Sequence, residues 1–147
     1  MKEKTKINKD VLDELNKGCA MGMDAIRDIL KKVEDSKFKK VLEDEFDKYK
    51  EIHQRIEIKY TEFSKEEPTE TSAMNKIMTS MMTEMKLMKD NSDSKIAELL
   101  IQGTNMGIIE GKKLLNHKEH LKKEVEDILK EYIKMQENSV EIYKQYL

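Results

Sequence analysis

The chain has 147 residues, 28 Lys plus Arg against 30 Asp plus Glu, and a single cysteine, Cys19. That length suits one domain, residues 1–147, burying roughly 70% of the surface its unfolded form exposes. The near-balanced, interspersed charge offers no broad positive field to a phosphate backbone, which argues against a nucleic-acid partner, and one cysteine excludes an internal disulfide or a thiolate zinc cage.

Charged residues make up 39% of the chain and aromatics 5%, a mixture that suits long helices with solvated outer faces. The polar stretch from Met1 to Asp10 lacks the apolar core of a signal peptide. No run approaches the roughly 18 apolar residues of a membrane span. A cytoplasmic setting is the expectation.

Apolar and small residues at Val11, Leu15, Gly18, Gly22, Ala25, Ile26, Ile29 and Val33 keep helical spacing and predict a first helix over about 11–34. Asp35 and Ser36 interrupt the pattern and can cap a second helix over 36–64, whose stripe is Phe38, Leu42, Phe46, Tyr49, Ile52, Ile56, Tyr60 and Phe63. Pro68, the only proline, lies in a loop from Ser64 to Thr71. A Met-rich helix follows over 72–89. The cluster Asp90 to Ser94 competes for backbone hydrogen bonds and predicts a break, after which a helix runs over 95–115. Asn116 with Glu119 reads as a capping box opening a last helix over 117–146.

Without alternation or Asn-Gly turns to signal strands, the class is all-α, an antiparallel four-helix bundle. If the Met-rich helix runs back along the bundle as a crossover connection, the topology is ferritin-like. The competing picture is one long kinked helix from 72 to 115.

All five glycines, Gly18, Gly22, Gly103, Gly107 and Gly111, fall inside predicted helices, at a cost of about 1 kcal/mol each relative to Ala. Their spacing of four puts each set on one face, so the helices at 11–34 and 95–115 are expected to pack at short distance. The glycines either serve that close packing or open a cavity for a ligand between the two helices, with Met21, Met23 and Met106 as flexible fillers.

A ferritin-type di-metal centre needs Glu-x-x-His on two helices. The residues three before His53, His117 and His120 are Lys50, Leu114 and His117, so no such motif exists. Weaker metal candidates are Glu45 and His53, on or beside the apolar stripe of the second helix, and Glu110, expected on the inner face of the helix at 95–115 with Leu99, Gly103 and Met106. A buried carboxylate needs a partner, which His53 or a hydroxyl of Tyr49, Tyr60 or Tyr132 can supply. His117 and His120 mark a solvated helix start. Cys19, without a nearby histidine or cation, reads as a small buried residue. No nucleophile elbow or phosphate loop is present, no cofactor is implied, and an enzyme is not expected.

Met74, Met78, Met81, Met85 and Met88 stack thioethers along one face. Such a face can cover the core, bind Cu(I) through soft sulfur, or receive a partner helix. A non-enzymatic structural or interaction role, through a protein partner or self-association, is the leading expectation. A metal-storage bundle and a small-molecule binder are the alternatives.

The runs NSDSKIAELLIQGTNMGIIEG (91–111) and NKGCAMGMDAI (16–26) resemble small ferritin-like bundles of spore-forming bacteria, akin to spore-coat F proteins. The resemblance implies a ferritin-like fold without ferritin chemistry, in a coat, storage or stress setting. It carries over no functional residues.

Overall fold

The computed structural model describes residues 2–66, 68 and 83–147. Among them the fold is all-helical: α1 is Lys2–Leu30, α2 Ser36–Tyr60, α3 Asp93–Leu115 and α4 Lys123–Lys144, with a 3-10 turn at Lys118–His120. Met74, Met78 and Met81 lie outside the described residues. The described end of the predicted Met-rich helix, 83–87, is helical.

Local capping explains three of the helix limits. Asp35 accepts the Phe38 backbone N–H at 2.8 Å and starts α2. Ser92 accepts the Lys95 N–H at 3.2 Å and starts α3, while Asp90 takes the Ser92 N–H at 2.9 Å. The chain therefore breaks between 88 and 92, and a continuous helix from 72 to 115 is ruled out. α2 closes at Tyr60 rather than 64, in turns that bring Phe63 and Ser64 back onto the Tyr60 carbonyl.

α1 also closes at Leu30 rather than 34, and two helix starts lie far from expectation for one tertiary reason. α1 begins nine residues earlier than predicted, and α4 begins six later. Asn8, almost fully buried, donates its side-chain amide to the Lys4 and His120 carbonyls and accepts the Lys122 backbone N–H at 2.9 Å. This clamp fixes the start of α4 and holds the first turns of α1 in place. The Asn116–Glu119 capping box does not form: Asn116 ends α3 instead, its N–H on Lys112 and Leu114 carbonyls, and Lys122 precedes α4 without a side-chain cap.

Contacts along the helices set their directions. Lys9 lies over the Tyr60 ring and Gly22 abuts Tyr49, so α1 and α2 are antiparallel. Phe38 stacks on Tyr146 and Ser139 meets Glu45, so α2 and α4 are antiparallel. Gly107 abuts Gln136 and Gly111 abuts Ile133, so α3 and α4 are antiparallel. It follows that α2 and α3 run parallel. The chain leaves α2 at the end where Lys122 lies over Phe63, and it re-enters at the other end, where Lys32 donates to the Met85 carbonyl. The described residues that end before 69 and resume at 83 thus lie at opposite ends of the bundle.

The core between them is apolar, with Leu12, Leu15, Ile26, Phe38, Leu42, Ile56, Ile96 and Leu129 buried. Among the described residues no helix is long and apolar enough to cross a membrane. Because Asn8 closes the α3–α4 connection, Asn8→Ala should cost about 1–3 kcal/mol, read in urea unfolding as a lower midpoint with an unchanged slope.

Candidate binding cavity in the bundle core

Four of the five glycines, Gly18, Gly22, Gly107 and Gly111, are notches for side chains. A Cβ on Gly18 would collide with the Tyr132 hydroxyl, and one on Gly107 with the Gln136 amide. On Gly22 it would sit 2.7 Å from the Tyr49 ring, and on Gly111 2.7 Å from Ile133 Cγ1. No described residue has a positive φ, so these glycines provide room rather than backbone freedom. The expected short-distance packing of α1 against α3 is corrected accordingly. α1 packs chiefly against α2, and α3 against α4, and the notches of α1 and α3 are filled by side chains of α2 and α4.

Those side chains form a buried polar network. Gln136 Nε2 donates to Tyr132 Oη at 3.1 Å and to Tyr49 Oη at 3.3 Å. The two phenol rings meet edge-on, with centroids 6.4 Å apart. Burial pushes the Tyr49 hydroxyl up to about 12 and the Tyr132 and Tyr143 hydroxyls well above the ordinary phenol value. Gln136 Oε1 is buried and has no hydrogen-bond partner. An unpaired buried acceptor costs about 1–3 kcal/mol.

Beside this network lies a cavity of about 40 Å³. Gly18 and Gly22 of α1, Gly103 and Gly107 of α3, and Tyr49, Tyr132 and Gln136 line it, with Leu99, Leu100 and Met85 completing an apolar wall.

The metal candidates do not converge. Glu45 is buried as expected, but its partners are Ser139, whose hydroxyl donates at 2.7 Å, and Lys48 at 3.1 Å. His53 Nδ1 faces Glu57 at 3.1 Å and lies eight residues, or about 12 Å of helix rise, from Glu45. Glu110 is not on the inner face: its side chain is 39% exposed and pairs with Lys113. Its position one residue before the buried Gly111 turns it to the rim of α3. Among the described residues no three His, Cys, Asp or Glu side chains are grouped to hold a metal ion.

Cys19 is fully buried, and burial raises its thiol far above the usual range, which leaves it a packing residue. Of the methionine stripe, Met85 and Met88 are described; Met85 is buried in the cavity wall and Met88 packs against the core. Met21 is buried, while Met23 and Met106 are half-buried; Met85 is the methionine of the cavity wall. His117 and His120 are exposed on the α3–α4 connection.

Sequence reasoning passed over Gln136 and Ser139. Their signal was available: both are polar residues at inward positions of the α4 stripe, one turn beyond Tyr132 and Met135. A larger surface groove beside Asn16, His53, Glu57 and Tyr60 collects the remaining unpaired buried acceptor, Asn16 Oδ1, but its lining is polar and open to solvent at Lys65 and Glu66.

Two measurements check this geometry. Gly18→Ala should destabilise the fold by about 1–3 kcal/mol through overpacking, against the gain of about 1 kcal/mol that alanine brings to a helix, and adding Tyr132→Phe should restore part of the loss in thermal melts. Raising the pH should also unfold the protein. A phenol held near 12 when folded and near 10 when unfolded contributes stability that is intact below pH 10 and lost between about 10 and 12, up to about 3 kcal/mol for Tyr49. The tyrosinate absorbance of the buried phenols should therefore rise together with the loss of helical circular dichroism.

No known protein family, no curated protein and no solved structure matches this chain.

Proposed function

We propose that this chain is a non-enzymatic helical bundle of ferritin-like topology, with the Met-rich segment as its crossover connection, that binds a small molecule in the core cavity between α1 and α3. The carrying observation is Gln136 Oε1, a buried acceptor with no partner beside a cavity. A bundle selected for packing alone gains by filling that space and replacing the amide with an apolar side chain. Here four glycines border the space. The parallel course of α2 and α3 supports the topology, as does the resemblance carried by 16–26 and 91–111.

The reading of the methionine stripe as a partner-binding face has less behind it, because Met85 and Met88 turn toward the core. Size bounds the ligand. At roughly 10–15 Å³ per water, 40 Å³ holds about three waters or a solute of similar bulk. A larger ligand has to displace Met85, which is unbranched and flexible and sits in the helical stretch described at 83–87.

A panel of small neutral fragments, screened by thermal shift at millimolar concentration, tests the proposal. At least one fragment should raise the melting temperature, and Ala25→Val, which adds two methyl groups in the cavity wall, should abolish that rise while leaving the unliganded protein folded. A panel without any stabilising fragment would overturn the reading.

A further inference from the structure

The chemistry of the cavity wall narrows the ligand class, on the premise that the cavity is the binding site. We infer that the ligand is a short, uncharged molecule with one hydroxyl group, which seats that hydroxyl at Gln136 and Tyr132 and lays its hydrocarbon against Leu99, Leu100 and Met85.

The polar atoms define the head group. Gln136 donates through Nε2 to both phenol oxygens, so Oε1 remains to accept and the Tyr132 hydroxyl keeps its own proton to donate. The complement is a group that donates and accepts from one atom. A hydroxyl does both; an ether or a hydrocarbon leaves Oε1 unpaired. Exchanging the amide oxygen and nitrogen, which look alike to a structure, reverses donor and acceptor on Gln136, and a hydroxyl satisfies that arrangement equally.

The described surroundings of the site disfavour charge. Tyr49, Gly107 and Gln136 lie near the middle of α2, α3 and α4 respectively, and Gly22 two turns inside the end of α1, where backbone N–H and C=O groups are consumed by the helices. None of the described residues that line the site carries a charge to offset an ion. The buried carboxylate of Glu45 is already held by Ser139 and Lys48. An ammonium or carboxylate entering here loses its hydration without a counter-charge, a penalty of several kcal/mol. Beside Thr104 and Tyr143, the apolar part of the wall, Ala25, Ile26, Leu99, Leu100 and Met85, rewards a short alkyl tail.

The full chain is titrated in turn with ethanol, ethane, acetate and ethylammonium, following the backbone amide resonances of Gly18 and Gly107 by NMR. Ethanol should shift both resonances saturably, ethane should bind more weakly, and the two ions should leave them unmoved. Gln136→Met, apolar and of similar length, should lower ethanol affinity about tenfold, the equivalent of one buried hydrogen bond, and leave ethane affinity equal or higher. Tyr132→Phe, which keeps the ring in the Gly18 notch, supplies the same comparison if the methionine variant does not fold. Ethane binding as tightly as ethanol, an ion binding as tightly as ethanol, or an ethanol affinity indifferent to both substitutions overturns the hydroxyl assignment while leaving the cavity as a binding site. Failure of all four probes to move either resonance overturns the cavity reading itself.

Discussion

One amide in the middle of α4 joins the two halves of this bundle. Gln136 reaches the hydroxyl of Tyr49 on α2 and of Tyr132 on its own helix, and each partner needs a missing side chain somewhere else. Tyr132 needs Gly18, Tyr49 needs Gly22, and the amide needs Gly107. Each helical glycine costs about 1 kcal/mol, and a hydrogen bond returns only about 0.5–1.5 kcal/mol net. With the Gln136 acceptor unpaired as well, the two hydrogen bonds do not by themselves offset the three glycines, and the network's effect is on geometry. Between the α1–α2 and α3–α4 hairpins the register is marked by two contacts, Tyr132 in the Gly18 notch and Gln136 on the Tyr49 hydroxyl, and a one-turn slide breaks that hydrogen bond and carries Tyr132 away from Gly18.

The surface adds little to that specificity. Most ion pairs join residues three or four apart on one helix, as in Arg27–Asp24, Lys40–Asp44 and Lys144–Glu141, and such pairs contribute about 0.3–0.5 kcal/mol each. Between helices, Arg55 pairs with Glu131 and Lys112 with Glu137, both exposed and screened by salt. Asn8 differs in kind. It is buried, it satisfies backbone groups of the α3–α4 connection, and it does so across more than a hundred residues of sequence.

The all-helical class was legible because apolar spacing of three and four persists for several turns in each segment. The stripes of α1, α2 and α4 identify core residues such as Leu15, Ile26, Phe38 and Val125. The caps at Asp35 and Ser92 were legible too, since their side chains act on their own neighbours. Long-range partnerships were not. The start of α4 depends on Asn8, which no local pattern near residue 120 reveals, and the plausible capping box at Asn116 loses to it. The glycines were conspicuous, yet their spacing alone could not say whether a backbone or a phenol would fill the gap. Glu110 failed for a related reason: α3 carries so many apolar residues that its stripe is broad, and a position at its edge reads as inside.

The antiparallel neighbours leave α1 and α4 running in the same direction, with Lys122 beside Asn8 at one pole and Tyr146 on Phe38 at the other. α4 alone, 22 residues long, separates those poles by about 33 Å at 1.5 Å per residue. Whatever is joined ahead of Lys2 and whatever follows Lys144 must leave from opposite ends. Fused between two other domains, the bundle acts as a rigid strut that holds them a fixed distance apart, and joining its own ends for circular permutation demands a linker that spans the whole molecule.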